Sequence, residues 1–482
     1  MLLFTLLAIN LSKFEHECVY APIPEFMIQA FRYSVLFFYL LIAFSCKKEE
    51  EPIIQPIIED SVYTQYGSPI LHLPASEDII MYEINLRAFS PGGDIQGIID
   101  KLDSLKSLSI NTLWLMPIYP TGEINSVNSP YSIKDYKALS PEYGTLEDLR
   151  KLTDEAHSRD MAIILDWVAN HTSWDHSWIS NKNWYSQDGS GNIIHPPGTN
   201  WLDVADLNFG SDNMRLEMID AMRYWILEAN IDGYRCDYAD GVPYVFWAQA
   251  IDSLSNIPNR KLILLAEGAR SDHFISGFDL IYGWNFYNTV KSVYNGQAAS
   301  ALFAVHEDDY DNVPVGKHVL RFTTNHDESA WDQTPMVLFD GQAGAIAASV
   351  VTIFIGGAAL IYTGQEVGQL NPVPFFSNSN ISWTGNPEML TAYRNILNFY
   401  NQTEVARIGA NVYYPDNDIV CFRKTLNNEK LVVIVNIRSG QQNYSLPLEL
   451  QSTQWNNVFT SDQMNLQTEI VLAGYEYMIL EE

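Results

Sequence analysis

Eight short apolar segments recur between residues 79 and 364, and stretches of helical or loop character separate them. Most are continuous apolar runs, which is typical of parallel strands that helices cover on the outside. Eight strand–helix units in one run predict an α/β fold of the TIM type, a closed (β/α)8 barrel. The predicted strands are 79–85, 110–116, 162–168, 231–237, 261–267, 278–284, 318–324 and 358–364.

An open, doubly wound sheet is the alternative architecture. Such a sheet usually has fewer strands, and a glycine-rich phosphate turn follows its first strand. Here the first segment is followed by LRAFSPGGD, which lacks that fingerprint. Helices are predicted between the strands, for example over 94–109 from its apolar spacing and over 145–160, where Thr145 precedes Glu147 and Asp148.

Two regions depart from the strand–helix alternation. About forty residues, 171–210, follow the third strand, and they are rich in Trp, Asn and Asp, so we expect an insertion subdomain there. Beyond residue 401 the segments are strand-like with turns between them, which predicts a C-terminal antiparallel β domain over 401–482. The catalytic barrel is then expected over 76–400, after a proline-containing tether over 47–75.

Residues 27–46 have the pattern of an export signal, and an upstream extension precedes them. Residues 1–26 resemble neither a domain nor a targeting signal and are interpreted as an upstream extension. In 27–46 an arginine precedes an apolar run, and Ser45 and Cys46 follow it, as in a bacterial lipoprotein signal whose cysteine carries the lipid. We therefore expect an exported protein anchored to a membrane through Cys46, at the cell surface or in the periplasm. An ordinary signal peptide or a membrane anchor is the alternative.

Charge and cysteine content exclude several classes of partner. The chain carries 28 Lys and Arg against 58 Asp and Glu, a formal net charge of −30. Nucleic acid and anionic membrane surfaces attract basic clusters, so neither is an expected partner of the folded domain. The four cysteines form no disulfide framework, and we expect Cys236 and Cys421 to be unpaired.

Polar residues cluster where predicted strands end. In a (β/α)8 barrel the active site lies at the C-terminal ends of the strands, so residues from several strand ends share one rim. Side chains two apart on a strand point to the same side, which places Arg235 beside Asp237. The strand-end residues are Asp166, Asn170 and His171 after the third strand, Arg235 and Asp237 on the fourth, Glu267 after the fifth, and Asn325, His326 and Asp327 after the seventh.

Glycoside hydrolysis gives a chemical reason to gather these acids, because it uses two carboxyl groups in different protonation states. Asp237, beside Arg235, is expected to keep a low pKa and to act as the nucleophile. Glu267 has no cation adjacent in sequence and would hold its proton as general acid. Asp327 would bind sugar hydroxyls and favour the positively charged transition state. His171 and His326 would donate hydrogen bonds to hydroxyls without adding much charge.

The motifs resemble those of the α-amylase family of glycoside hydrolases. DWVANH, GYRCD, LAEG and TTNHD occur in the family's order, and flanking segments from 79 to 383 agree with it. The resemblance implies a retaining enzyme that hydrolyses α-1,4-glucosidic bonds in starch-like glucans or maltooligosaccharides. It implies the same roles for Asp237, Glu267 and Asp327, with Arg235, His171 and His326 on the sugar that is cleaved. Tyr131 matches a tyrosine that stacks on that sugar, and Asp135 lies nearby as a further predicted substrate contact.

The resemblance also bears on metal binding and on alternative activities. Asn170 matches a calcium-binding asparagine of the family, so calcium is a possible cofactor. Asp240 and Gly241, however, stand where many relatives have Lys and His, and that histidine supplies a calcium ligand. A transglycosylase or an α-glucosidase would use the same three acids and is the alternative enzyme class. A surface glycan-binding protein without activity is a further alternative, although it would be expected to lack one of the acids.

Overall fold

The structure is a computed structural model of the 482-residue chain, and it describes residues 63–374 and 376–482. The predicted extension, the signal segment with Cys46, and most of the predicted tether lie outside the described residues. The described end of that tether, 63–75, lies against the barrel, where the amide of Tyr66 donates to the carbonyl of Leu227. No helix in 63–374 or 376–482 is long and apolar enough to cross a membrane.

Eight parallel strands close into a barrel, in the order β1-β10-β9-β8-β7-β6-β3-β2. The barrel confirms the predicted fold class, and each strand falls inside its predicted segment. The strands of the barrel and of the insertion are β1 Ile80–Ile84, β2 Thr112–Leu115, β3 Ala162–Trp167, β4 His171–Ser173, β5 Val204–Asp206, β6 Gly233–Cys236, β7 Ile263–Ala266, β8 Leu280–Tyr282, β9 His318–Arg321 and β10 Ala358–Tyr362.

The barrel strands read as apolar runs because both of their faces are buried. Inward-facing residues such as Met81, Trp114 and Leu320 form one core inside the barrel. Outward-facing residues, among them Ile80 and Cys236, form a second and larger core under the helices. Alternation along β6 therefore turns Cys236 outward and Arg235 inward.

Helices follow the strands and cover the barrel. Thr145 caps its helix with a capping box: its hydroxyl accepts from the Asp148 amide, and the Asp148 carboxylate accepts from the Thr145 amide. The helices are α1 Leu86–Phe89, α2 Ile95–Ile99, α3 Leu102–Lys106, α4 Leu146–His157, α5 Asp212–Glu228, α6 Tyr244–Ser255, α7 Asp272–Ser276, α8 Trp284–Tyr294, α9 Ala301–Tyr310, α10 His326–Trp331, α11 Pro335–Leu338, α12 Gln342–Phe354, α13 Pro387–Gln402 and α14 Glu404–Ile408.

The helix predicted over 94–109 is interrupted, which differs from the prediction. The Lys101 amide bonds to the carbonyl of Ile98, three residues back, so the turn tightens between α2 and α3. The apolar spacing continues across the break, since Ile98, Leu102 and Leu105 are all buried. Periodicity alone therefore did not reveal the interruption.

The C-terminal domain is built from antiparallel strands, as predicted, and the insertion contains an antiparallel pair of strands. In the insertion β4 pairs with β5, His171 opposite Asp206. The C-terminal domain has a six-stranded sheet, order β11-β12-β13-β18-β15-β16, and a two-stranded sheet of β14 and β17. Cys236 and Cys421 are free and buried, as expected. The remaining strands are β11 Ala410–Tyr414, β12 Ile419–Leu426, β13 Glu429–Asn436, β14 Gln442–Ser445, β15 Thr453–Asn457, β16 Gln463–Leu466, β17 Glu469–Leu472 and β18 Tyr477–Glu481.

Candidate active site

A cavity of about 620 Å³ opens at the C-terminal end of the barrel. Asp237 follows β6, Glu267 follows β7, and Asp327 lies in the first turn of α10, after β9. All three carboxyls line this cavity, together with Tyr131 and His171. The strand-end residues that the sequence motifs place on one rim therefore line one cavity. It is large enough for a small ligand.

Arg235 connects the carboxylates at the floor of the site. Its fully buried Nη1 lies 2.9 Å from Oδ1 of Asp166 and 2.9 Å from Oδ1 of Asp237. Its Nη2 lies 2.9 Å from Oε1 of Glu267, as an ion pair without hydrogen-bond alignment. Its Nε donates to the hydroxyl of Tyr282 at 3.2 Å. One guanidinium thus contacts both carboxyls predicted to do the chemistry.

The protonation of Asp237 and Glu267 follows from burial and from each other. Burial raises the pKa of Asp237 to about 6, although Arg235 lowers it. Burial raises the pKa of Glu267 to about 7, again against Arg235, and the charges of Asp237 and Asp327 raise it further. The expected low pKa of Asp237 is therefore wrong, because desolvation outweighs its cation. Glu267 has no cation adjacent in sequence, but the fold places Arg235 beside its carboxyl.

A tight turn after β6 holds the Glu267 carboxyl in place. The amide of Tyr238 donates to Oε2 of Glu267 at 2.6 Å. Tyr238 has a φ of 42°, in the left-handed region that bulky residues rarely adopt. The amide of Ala239 then bonds to the Glu267 carbonyl at 2.9 Å. The strained residue therefore aims a backbone donor at the predicted general acid.

Tyr131 and His326 form a stacked pair beside the acids. Their ring centroids are 5.4 Å apart with planes 15° from parallel. The Tyr131 hydroxyl lies 2.9 Å from Oδ2 of Asp166 and 2.7 Å from Nε2 of His326. His171, by contrast, is buried beside Trp201, and burial lowers its pKa to about 4, which leaves it neutral at ordinary pH.

Sequence reasoning missed Glu83. It lies on β1, is fully buried, and contacts Nδ1 of His326 through Oε1. Burial raises the pKa of Glu83, while His326 and Arg235 lower it. The available signal was the carboxylate itself: Glu83 shares the inward face of β1 with Met81, inside an otherwise apolar run.

Apolar and aromatic side chains form the walls of the cavity. Trp201 and the exposed Leu202 come from the insertion, and Trp331, 65% exposed, ends α10. Trp331 lies near Phe376, with ring centroids 5.8 Å apart. Other tryptophans of the insertion pack internally, such as Trp178, which is buried.

Two predicted or unassigned acids lie away from the reacting groups. Asp135 is exposed, accepts from the Lys137 amide at 2.9 Å, and does not line the cavity. Asp240 bonds Nε2 of His273 at 2.7 Å and accepts from the Ala269 amide, so it fastens the loop that follows Glu267. The hydrogen bonds of His273 and Ala269 lower the pKa of Asp240, against burial, which raises it.

Few side chains near Asn170 could serve as calcium ligands. Calcium takes six to eight oxygen ligands, mostly carboxylates and carbonyls. Asn170 is buried and Gly241 is close to it, since a methyl group at Gly241 would lie 3.1 Å from Oδ1 of Asn170. Yet residues 63–374 and 376–482 contain no group of three Asp, Glu, His or Cys side chains placed to hold a metal. Calcium as a cofactor and Asn170 as its ligand therefore stay predictions.

Comparison with known proteins agrees with this geometry. The family described as "Alpha amylase, catalytic domain" matches residues 59–192. Curated relatives that are alpha-amylases match the chain over more than that segment. The chain is 26% identical to alpha-amylase MalA of Haloarcula japonica over 405 residues, 78% of this chain and 58% of that protein. The chain thus spans less than two thirds of that relative's length. Alpha-amylase 3 of Dictyoglomus thermophilum is 24% identical over 477 residues, 85% of this chain and 94% of that protein.

A solved structure extends the likeness to three dimensions. The alpha-amylase of Lactobacillus plantarum superimposes with a TM-score of 0.74 at 25% identity. The match covers 84% of this chain and 99% of that one.

Proposed function

We propose that this chain hydrolyses α-1,4-glucosidic bonds in starch-like glucans or maltooligosaccharides, with retention of configuration. The observation that carries the proposal is the joint placement of Asp237, Glu267 and Asp327 on one cavity, with Arg235 between the first two. A shared guanidinium keeps those two carboxyls close together. Retaining glycosidases need such closeness, since their two carboxyl groups are only about 5–5.5 Å apart.

In the first step the Asp237 carboxylate attacks the anomeric carbon of the bound sugar. The glycosidic C–O bond breaks as Glu267 gives its proton to the departing oxygen, which leaves a covalent glycosyl–Asp237 ester. Arg235 stays protonated throughout, because the surrounding acids raise its pKa against burial. It therefore offsets charge on Asp237 before attack and on Glu267 after proton transfer.

In the second step water replaces the released chain. Glu267, now ionised, takes a proton from the water as the oxygen attacks the anomeric carbon, and the bond to Asp237 breaks. Two inversions give net retention. Asp327, which is 35% exposed and therefore reachable from the cavity, holds sugar hydroxyls through both steps. His326 lies 3.4 Å from its carboxylate and fixes its orientation.

Two substitutions test these roles. Asp237→Asn and Glu267→Gln keep side-chain size but remove the nucleophile and the proton donor. We expect turnover of soluble starch to fall by about 10²–10⁴ for the general acid, and by at least as much for the nucleophile. Asp100→Asn is the matched control, because Asp100 is an exposed acid outside the cavity. Starch hydrolysis within a few-fold of the unsubstituted protein in either site variant would reject the role assigned to that residue.

An α-glucosidase or a transglycosylase is the alternative activity, because both use the same three acids. Products from starch, pullulan, maltotriose and sucrose separate the possibilities. Internal cleavage of starch to mixed maltooligosaccharides is the expected result. Release of single glucose units, or the appearance of chains longer than the substrate, would favour the alternatives.

We also propose that the protein is exported and anchored through a lipid on Cys46. The proposal rests on the sequence from 27 to 46, in which a charged start and an apolar run precede Ser45 and Cys46. Mass spectrometry of the mature N-terminus tests it. A diacylglycerol-modified Cys46 is expected, whereas a terminus elsewhere without lipid would contradict the anchor.

A further inference from the structure

His326 contacts hydrogen-bonding groups through both of its ring nitrogens. Nδ1 faces Oε1 of Glu83, and Nε2 lies 2.7 Å from the Tyr131 hydroxyl and 3.4 Å from Asp327. The ring is 2% exposed, and it packs edge-to-face with Trp114. Its proton count is therefore decided by these neighbours and not by bulk water.

The hydroxyl of Tyr131 decides what Nε2 must carry. A tyrosine hydroxyl has one proton, and here it lies 2.9 Å from Oδ2 of Asp166. Asp166 already accepts from Arg235 and from the indole of Trp114, so its carboxylate is ionised and can only accept. The Tyr131 hydroxyl therefore donates its hydrogen bond to Asp166, and its oxygen can only accept a hydrogen bond from Nε2. Nε2 therefore carries a proton.

The second nitrogen faces a carboxylate. Glu83 is buried with Oε1 on Nδ1 of His326, and the same oxygen accepts from the His326 amide. The charges of His326 and Arg235 favour the ionised carboxylate against burial, and an ionised carboxylate can only accept. Nδ1 therefore carries a proton as well. A neutral imidazole has one N–H only, and either neutral tautomer would set two acceptors against each other in a buried place.

The charges that face His326 come from four elements. Glu83 on β1 and Asp327 on α10 itself favour the cation, and Asp166 on β3 adds negative charge behind Tyr131. Arg235 on β6 opposes it. Burial also lowers the pKa of His326, but Asp327 and Glu83 outweigh it and raise the pKa to about 9.

We propose that Glu83 is a positioning residue that holds His326 as an imidazolium cation at the edge of the cavity. His326 then presents a fixed positive charge to Asp327 and, if the proposed function holds, to the sugar bound beside it. This differs from the expectation that the site histidines add little charge: His171 is neutral, and His326 is not. The charge balance at the site becomes two cations, Arg235 and His326, among the carboxylates.

The direct test is a nitrogen NMR titration of the protein labelled with ¹⁵N-histidine. His326 is assigned by its loss in His326→Gln. At pH 7.5 we expect both of its nitrogens to show the shifts of an imidazolium, and to titrate near pH 9. A neutral ring at pH 7.5, titrating near its ordinary value of about 6.5, would overturn the proposal. So would a neutral ring with the proton on Glu83, which the Nδ1 shift distinguishes.

Glu83→Gln isolates the role of the carboxylate. The amide oxygen can still accept from Nδ1, so the contact remains and only the charge is removed. The His326 titration should move down by about one unit or more. Glu366→Gln is the matched control, because Glu366 is equally buried but accepts from Tyr82. It should leave the His326 titration in place. An unchanged titration in Glu83→Gln, or an equal shift in both variants, would contradict the assignment.

This test does not depend on activity. An imidazolium signal in an inactive protein would reject the proposed hydrolysis and leave the Glu83–His326 pair standing. A neutral His326 in a starch-degrading protein would do the reverse. If Glu83→Gln does not fold, the titration of the unsubstituted protein still decides the protonation of His326.

Discussion

At the scale of single residues, burial decides the chemistry of the acids more than their charged neighbours do. Asp237 has Arg235 at 2.9 Å, yet its pKa is raised to about 6 because its carboxyl has lost most of its water. The side chain of Glu267 is only 15% exposed, and its pKa is raised to about 7. The two groups are thus separated in the order that a nucleophile and a proton donor need.

These shifts predict a narrow, bell-shaped dependence of kcat/KM on pH. The nucleophile must be ionised, so activity should fall as the pH drops below about 6, where Asp237 takes up a proton. The acid must be protonated, so activity should also fall as the pH rises above about 7, where Glu267 loses its proton. Initial rates on a soluble maltooligosaccharide between pH 4 and pH 10 test this, and they report the apparent pKa values of a pair of carboxyls that titrate together. A flat profile from pH 5 to pH 9 would contradict it.

Residue types predicted the site well only where a motif surrounded them. Arg235, Asp237, Glu267 and Asp327 could be placed on one rim because each follows a strand and all barrel strands end on the same side. Glu83 was missed since it sits inside a strand, where alternation needed to be read as an inward-facing charge. The location of Asp135 depends on the path of a loop, which no periodicity describes.

At the scale of elements, the short helix α10 presents several functional groups at once. Asn325 caps it, its side chain accepting from the Glu328 amide at 2.8 Å. The cap fixes where the helix begins, and so directs His326 toward Glu83 and Asp327 toward the cavity. Trp331 ends the same helix with its ring on the cavity wall. The short helix α10 therefore connects the reacting groups to an aromatic surface on the cavity wall.

Trp331→Ala should weaken the binding of long glucans. The apolar face of a sugar ring can lie on an exposed indole, and losing about 1.4 kcal/mol of such contact lowers kcat/KM about tenfold. We expect that loss on starch and a smaller one on maltotriose. Val245→Ala, at an exposed apolar residue that does not line the cavity, is the control. Equal losses on both substrates would mean that Trp331 acts on the fold or on the reacting groups and not on the extended chain.

Strand positions followed from continuous apolar runs, whereas the break in a helix and the packing inside the insertion did not. Buried parallel strands are apolar throughout, so each appears in the sequence as an uninterrupted run. The break between α2 and α3 leaves the apolar spacing intact and is therefore silent in the sequence. The insertion was recognisable by its length and composition, but which tryptophan would reach the cavity, Trp201 and not Trp178, depends on packing between its own residues.

At the scale of the whole molecule, the C-terminal sheet is joined to the barrel helices through polar contacts, of which those of Lys424 are buried. Nζ of Lys424 on β12 donates to the carbonyls of Phe354 and Ala406, at the ends of α12 and within α14. Burial lowers the pKa of Lys424 to about 7. Arg438 donates to the carbonyl of Val293, in the last turn of α8, and to that of Gln297, just beyond the helix. These contacts hold the far side of the barrel while the strand ends carry the site.

The parts of the molecule together determine the configuration of the product. A closed barrel brings the strand ends to one rim, the insertion and α10 supply walls, and Arg235 keeps Asp237 and Glu267 together. If those two act as nucleophile and acid/base, the bond to the sugar is inverted twice. The configuration of the first product therefore reports on the whole arrangement.

The most direct measurement is the anomeric form of that first product. Proton NMR spectra recorded during the first minutes of maltoheptaose hydrolysis distinguish new α-anomeric from β-anomeric reducing ends before they interconvert. The account predicts that the α-anomer appears first and the β-anomer only later. First appearance of the β-anomer, or no cleavage by a folded protein, would contradict the two-step role of Asp237 and Glu267.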